Sequence, residues 1–537
     1  MKSKNIKFQE QIHKISRRLL IIAIALFSCS LVRSQTDDPI ITNLFQNSSK
    51  VIDAMRLPGG IYLDALALGA AGAKPAALNA NGVGLISLCI SDAMYKKNGD
   101  AINWDANAES KALTTIREWI RLKNTPGATN ANGLFHRYFK PTDGSWVWTE
   151  EFSTIDNAIL AAGFLFCRNY FHNNAEIVEK TNTLLNSMDF TAAISTNGDQ
   201  MFMVLDDNGN QTVVANPFNE YMFLAWFAKN SNPSFPRYAS AQTYWNDKYN
   251  NANSLPKYNY PAGNPTLSEG SFAQPSFHVQ FCYYYCHYFG TNGDYMNFFK
   301  NMAFADKTWW QTSAIEKIAW GCGAGEDPNG GYSANAVNNN SQKIVSPHIM
   351  AGFGPTNPEV RNDLIALFDG GKGSGVYKIP GTTREFLWRY KLKLPAQRTS
   401  YVQAVDFSTM LYGLASLPEY LGPDFFTRYN DFNFDPTTSV GDLKQNNSQL
   451  DNHPNPFSTQ TNITFELTAK SKVVLEIYSI NGQIIRQMVD GELPVGKHSV
   501  SWNARNEANL LVDPGVYICK MLVGNQAEFS RQMFVVR

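Results

Sequence analysis

The feature that most constrains this chain is an alternation, over residues 81–417, of two kinds of helical pattern. Residues 83–94, 155–171, 220–228, 277–289, 347–353 and 404–417 are apolar on nearly every side. Between them run segments with a single apolar stripe. Ala112, Ile116, Trp119 and Ile120 fall at i, i+4, i+7 and i+8, with Arg117, Glu118 and Arg121 facing away. Ile177, Thr181, Leu184 and Met188, then Val360, Leu364, Leu367 and Phe368, repeat that design. A helix apolar all round has to be buried, and a striped one covers it from outside. Six buried helices alternating with outer ones predict an all-α (α/α)6 toroid, with residues 44–55 or 419–429 supplying the sixth outer helix. Such a barrel leaves a cavity at one end, lined by the starts of the inner helices and the loops before them.

The two ends follow other rules. Lys2, Lys4, Lys7, Lys14, Arg17 and Arg18 precede an apolar run over residues 19–32, too short to span a bilayer, which reads as a secretory signal peptide over residues 1–34. Cleavage is expected before Gln35. Leu26-Phe27-Ser28-Cys29 resembles a lipoprotein box, although Phe27 is bulky for one. Residues 35–430 then form the toroid. Residues 431–452, rich in Asn, Asp, Ser and Thr, form a linker. Over residues 453–537 the period becomes two: Ile463, Phe465 and Leu467 alternate, as do Val473, Leu475 and Ile477, then Val500 and Trp502, then Val516 and Ile518. Turns at Asn481-Gly482, Gly496-Lys497 and Pro514-Gly515 separate them, so a small C-terminal β-sandwich is expected.

Lys plus Arg and Asp plus Glu both total 46, so the chain has no net field to attract nucleic acid or anionic lipid. Only 17% of its 537 residues are charged and 13% are aromatic, which suits an uncharged ligand such as a sugar as well as a well-filled core. The cysteines show no framework spacing. His278, Cys282 and Cys286, at i, i+4 and i+8 with His287 beside them, superficially resemble a metal site. Their apolar, aromatic surroundings read better as a buried helix, and no metal or cofactor is expected. A monomer is expected.

Acidic residues recur at the starts of the buried helices: Glu150, Glu151 and Asp156 at the second, Glu220 at the third, Glu326 and Asp327 before the fifth, Asp406 at the sixth. Any one carboxylate there can simply cap its helix. A set converging on one rim, with Phe139, Trp146, Trp148, Trp309, Trp310, Trp320, Tyr332 and Trp388 near in sequence, suits glycosidic hydrolysis instead. That chemistry needs one carboxyl kept protonated and one ionised, with aromatic faces as sugar platforms.

Gly133-Leu134-Phe135-His136-Arg137-Tyr138-Phe139, then Glu151-Phe152-Ser153-Thr154-Ile155-Asp156, Asn219-Glu220-Tyr221, Trp320-Gly321 leading to Asp327 and Gly331-Tyr332, and Val405-Asp406 resemble, in that order, the glycoamylase-like domain of bacterial endo-β-1,2-glucanases, glycoside hydrolase family 144. The resemblance covers residues 43–428. It implies inverting hydrolysis of a β-glucan without metal or cofactor, with an oligo- or polysaccharide substrate. Glu220 would be general acid and Asp406 general base acting through water, with carboxyls about 6.5–9.5 Å apart. It further implies that Glu151, Asp156, Asp327, His136, Trp146, Trp148, Trp320 and Tyr332 hold the sugar. Apolar neighbours are expected to raise the Glu220 pKa, and the helix start to keep Asp406 ionised. The chain departs from the family in having Asn157 where Thr is usual, Asp406-Phe407-Ser408-Thr409 in place of an Asp-Gln-Gly-Pro run, and a different Gly-rich segment before Asp327.

The tail resembles the type A sorting domain of the type IX secretion system, through His453-Pro454-Asn455-Pro456-Phe457, Ile477-Tyr478, Asn481-Gly482, Gly515-Val516-Tyr517 and the basic last residue Arg537. That resemblance implies a partner in the secretion machinery and a secreted or cell-surface destination. The runner-up for the tail is a sugar-binding sandwich, with Trp502 its one candidate aromatic. Asp206-Asp207-Asn208-Gly209-Asn210 reads as a polar turn rather than a calcium loop, and residues 370–375 as a flexible loop rather than a P-loop. The alternative to an enzyme is a non-catalytic glycan-binding protein on the same toroid. A uronate lyase comes third, since an acidic rim would repel its anionic polymer.

Overall fold

The structure, a computed structural model, describes residues 38–436 and 450–536 apart from 70, 149–150, 270–271, 315–316, 371–374, 395, 468–469, 480–483 and 524–526. The signal segment and its Leu26–Cys29 box, Glu150, the Asn481-Gly482 turn, most of the glycine-rich loop, most of the linker and Arg537 lie outside the described residues. The chain divides into two compact units, Met1–Pro436 and Thr437–Arg537. Among the described residues no helix is long and apolar enough to cross a membrane.

The first unit contains, in chain order, α1 (Pro39–Asp53), α2 (Leu78–Asn98), α3 (Ala108–Lys123), α4 (Thr154–Tyr170), α5 (Ala175–Ser187), α6 (Tyr221–Lys229), α7 (Tyr238–Lys248), α8 (Ser276–Tyr285), α9 (His287–Thr291), α10 (Gly293–Trp309), α11 (Pro347–Gly352), α12 (Val360–Gly370), α13 (Ala404–Ala415) and α14 (Asp424–Tyr429). Helices α2, α4, α6, α8, α11 and α13 touch one another in that cyclic order, α13 closing onto α2. These are the six segments that are apolar all round, and they form the inner ring. The striped helices α3 and α5, with α7, α10 and α12, lie outside, and α1 completes the outer layer by packing on α2, α12 and α13. The amphipathic face of α1 supplies Ile41, Leu44, Phe45, Val51 and Ile52 to the core, so the sixth outer helix comes from the N-terminal candidate.

Inner helices approach closely where side chains vanish. A Cβ on Gly82 of α2 would sit 2.1 Å from the Ile159 carbonyl oxygen of α4, and one on Gly163 would meet Gly82 in turn. Only glycine permits that contact, which sets the spacing of the two helices. Cys89 and Cys167 face each other there as free thiols, 3.4 Å apart.

Short antiparallel ribbons precede the inner helices. Ala76–Ala77, before α2, pairs with Tyr138–Phe139; Phe152–Ser153, before α4, pairs with Phe202–Leu205; Tyr401–Gln403, before α13, pairs with Ala65–Ala67. Each ribbon is too short to bury a face of its own, and its role is to fix where an inner helix begins. The Asp206–Asn210 segment is the polar turn of one such ribbon: the Asp206 carboxylate accepts from the backbone and side-chain amides of Asn210.

The second unit is a sandwich of a three-stranded sheet (Leu450–His453, Thr461–Leu467, Gly496–Trp502) and a four-stranded sheet (Ile484–Leu493, Ser471–Ser479, Gly515–Val523, Ala527–Val535). Alternation sends Ile463, Phe465, Val473, Leu475, Ile477 and Cys519 inward. Trp502 is fully buried between Phe457 and Tyr517, its indole N–H donating to the Arg505 carbonyl. It is core, and it offers no face to a sugar.

Candidate active site

A cavity of about 850 Å³ lies where α4, α6, α8 and α13 begin. Its carboxyls are Asp64, Glu151, Asp156, Glu220 and Asp406, and its cationic groups Lys74 and Arg137, with His278 among them. The volume falls within the range of about 300–1,000 Å³ usual for small-molecule pockets.

Asp406 stands in the first turn of α13 but does not cap it, since the helix has no side-chain cap. Its Oδ1 accepts from the Tyr332 hydroxyl at 3.0 Å, and its Oδ2 is buried without a protein partner. Only 3% of the residue is exposed. Burial pushes the carboxyl up to about 7, outweighing the Tyr332 hydrogen bond and the charge of Arg389. This corrects the expectation of a fully ionised group: helix-start amides are a weaker influence than complete removal from water.

Glu220 immediately precedes α6 and makes no side-chain cap either. Its Oε2 lies 2.8 Å from Nε2 of His278, in α8. Burial is the largest single influence and pushes this carboxyl up, but the His278 charge and hydrogen bond, with a backbone hydrogen bond, together outweigh it and hold the group below its ordinary value. The expectation that apolar neighbours raise it is therefore overturned. Tyr221, Met222, Phe223 and Leu224 follow Glu220 in sequence, yet the group that decides its charge is 58 residues away.

The wall opposite is ionic. Arg137 reaches Glu151 at 3.3 Å and Asp156 at 3.1 Å, and the Asp156 charge drives the guanidinium pKa up. Asp156 also accepts from Asn79 at 2.6 Å and from the Ser153 hydroxyl at 2.5 Å, while Ser153 is the N-cap of α4. Asp156 thus belongs both to the helix start and to the cavity. Asp64 sits beside the ribbon that leads into α13, 7% exposed, and burial with the nearby Asp156 charge pushes it up to about 6.

Three exposed aromatic residues border the same space: Trp148 (54%), Phe272 (52%) and Tyr332 (59%). Trp148 holds a left-handed backbone, φ 71°, a conformation unfavourable for a bulky side chain. Its ring packs on Tyr138 at 4.8 Å, and the Lys74 ammonium lies over it at 5.3 Å. Tyr332 is carried by a ribbon (Ala324–Glu326 with Tyr332–Ala334) that the buried Arg389 ties down by donating to the carbonyls of Gly323, Gly325, Glu326 and Ser333.

Of the residues expected to hold sugar, Glu151, Asp156, Trp148 and Tyr332 line the cavity, as do Glu220 and Asp406. Four others are placed elsewhere. Trp320 is 1% exposed, donates its indole N–H to Asp363 and stacks on Phe353; it fills the core. His136 is buried against Phe152 at 4.2 Å and does not line the cavity. Asp327 closes a turn by accepting from the backbone and side-chain amides of Asn329. Trp146 is exposed but lies off the cavity, bridged to Phe139. Nor is Glu326 a cavity group: its carboxylate accepts from the Tyr401 amide. Trp309, Trp310, Trp388 and Phe139 are buried.

Two departures from the resemblance, at Asn157 and after Asp406, face inward. Asn157 clamps the segment before it, accepting from Phe135 N and donating to the Phe135 and Ser153 carbonyls. Phe407 packs between Phe386 and Trp388, Ser408 donates to Val405, and Thr409 donates to the His348 carbonyl. Asp64, Asn79 and Lys74 are cavity residues with no signal read in the sequence, and His278, read there as part of a buried helix, lines the cavity as well. For His278 a trace was legible: Gln274 one helical turn before it gives a polar pair at i, i+4 at the mouth of an otherwise apolar helix.

Comparison with known proteins divides along the same boundary. Residues 452–526 match the FlgD Ig-like domain family. No curated protein matches the chain. Among solved structures, a glucoamylase candidate from Bacteroides uniformis ATCC 8492 superposes with a TM-score of 0.59 at 16% identity, over 74% of this chain and 97% of its own. The endo-β-1,2-glucanase of Chitinophaga pinensis, solved with sophorotriose and glucose, gives 0.57 at 14%, over 73% and 96%. The β-1,2-glucanase of Parabacteroides distasonis gives 0.54 at 13%, over 73% of this chain and 59% of its own. The helical unit therefore shares the fold of these proteins, and the tail is an Ig-like sandwich.

Proposed function

We propose that the protein is a glycoside hydrolase acting on a β-glucan, with β-1,2-glucan favoured. The observation that carries this reading is a pair of buried carboxyls in one aromatic-bordered cavity: Glu220, whose Oε2 faces His278 Nε2, and Asp406, whose Oδ2 is buried without a protein hydrogen-bond partner. Hydroxyl-rich chains satisfy such a wall of acceptors, and exposed rings stack on sugar faces. The similarity of fold to β-1,2-glucan-cleaving proteins supports the linkage.

The proposed reaction is inverting. Glu220 donates a proton to the glycosidic oxygen as the C1–O bond breaks, and that oxygen keeps the bonding electrons. A water attacks C1 from the opposite face and gives its proton to Asp406. A carboxylate held near 7 is a far better base than one near 4, so the burial of Asp406 suits this role, provided the group is ionised. It follows that kcat/KM rises as pH rises through about 7.

The test is incubation with a panel of linear glucans while reducing ends are counted. Glu220→Gln and Asp406→Asn are each expected to slow release by about 10²-fold or more. Near-wild-type turnover by either variant refutes the pair. Saturable glucan binding without reducing ends from the unmodified chain would identify a glycan-binding protein instead.

For the tail we propose an export address read by the type IX secretion machinery, and hence a secreted or surface-attached protein. The motif order in the tail and the basic, apolar N-terminal segment support this.

A further inference from the structure

His278 stands near the start of α8, 6% exposed, with one ring nitrogen on each side of a choice. Nδ1 meets Oε1 of Gln274. The Gln274 amide nitrogen is committed to the Ser268 carbonyl at 3.2 Å, so it is the amide oxygen that faces the ring. An amide oxygen only accepts, and Nδ1 therefore carries a hydrogen. Nε2, on the other side, lies 2.8 Å from Glu220 Oε2. A neutral ring with its hydrogen on Nδ1 would set a bare lone pair against a carboxylate at that distance. One more proton has to lie in the gap, on the ring or on the acid.

Resting on the hydrolase reading, we propose that Gln274 and His278 are positioning residues that store the acid's proton and return it to Glu220 when a glycan fills the cavity. In the open, watered cavity the proton sits on Nε2 and the pair is ionic. A glycan expels water, and the charged pair loses solvation that the neutral pair does not need. The proton then crosses from Nε2 to Oε2, leaving a neutral ring still bonded to Gln274 and a protonated Glu220. Glu220 passes this proton to the leaving oxygen, and the pair regains one from solvent after product leaves. The other titratable groups facing this pair are Tyr221 beside Glu220, Cys282 one turn further along α8, and Tyr332 and Asp406, which line the same cavity. Asp306, on α10, is occupied by Ser276 and the Cys322 amide.

The experiment is nitrogen NMR of the full chain labelled at histidine, with Gln274→Leu as the variant that frees Nδ1. In the unliganded wild type, His278 is expected with hydrogen on both ring nitrogens, one facing Gln274 and the other facing Glu220. A linear β-1,2-linked glucotriose added to Asp406→Asn, which binds without turnover, is expected to strip the proton from Nε2. In Gln274→Leu the neutral ring can place its hydrogen on Nε2, and the alkaline limb of kcat/KM is expected to fall by about one pH unit, the worth of an ordinary hydrogen bond. A neutral Nε2–H tautomer in the unliganded wild type overturns the proposal, as does a ring that stays imidazolium with sugar bound, or an unmoved alkaline limb in a variant with wild-type melting. If no glucan binds, the hydrolase reading falls, and the resting tautomer still decides the proton store.

Discussion

The charge on Asp406 gives the sharpest test, because it ties stability to chemistry at one atom. Its carboxyl stands at about 7 in the folded chain against 3.8 when solvated. Between those values the folded state binds more protons than the unfolded one, so this group makes stability fall as pH rises from about 4 to about 7, with no further loss above. About three pH units at 1.36 kcal/mol each come to roughly 4 kcal/mol. Asp406→Asn keeps the shape and the acceptor for Tyr332 but cannot ionise. At pH 8 the variant is expected to be more stable than the wild type by up to ~4 kcal/mol, and near pH 4 the two should coincide. With about 2.1 cal/mol/K of unfolding entropy per residue over a unit of ~400 residues, that is a rise in Tm of about 5 °C. Scanning calorimetry of both chains at pH 4, 6 and 8 measures it, beside the loss of hydrolysis. A variant less stable than wild type at pH 8, or a gap that does not change with pH, refutes the reasoning that burial rather than a partner controls this carboxyl.

Asp156→Asn is expected to lower stability by about 1–3 kcal/mol as well as weaken glycan binding, because Ser153, Asn79 and Arg137 all lose a charged acceptor; calorimetry and a binding titration separate the two. Trp148→Gly, which removes an exposed ring from a left-handed backbone position, should raise KM several-fold while melting stays level or rises by up to about 1 kcal/mol in stability. Removing residues 452–537 is expected to leave a helical unit that folds and hydrolyses but fails to reach the surface of its native host, read by cell fractionation; normal export and anchoring of the shortened chain refutes the sorting role.

Architecture and chemistry are written into this chain to different degrees. Which segments are inner helices was legible because burial on all sides writes itself into consecutive residues, and residues 155–171 and 404–417 carry that pattern without help from distant contacts. The change of period at the tail was legible for the same local reason. The positions of Glu220 and Asp406 at the starts of inner helices could also be read, since a chain that must enter a ring places those residues at its rim. What each carboxyl is, chemically, could not. A pKa is set by neighbours in space, and His278, Tyr332 and Arg389 reach these groups from other elements. Trp320 shows the same limit from the other side: acidic neighbours in sequence suggested a sugar platform, and its ring faces Phe353 in the core. Periodicity determined the architecture, and the closing of the ring decided which side chains meet water and which proton each of them holds.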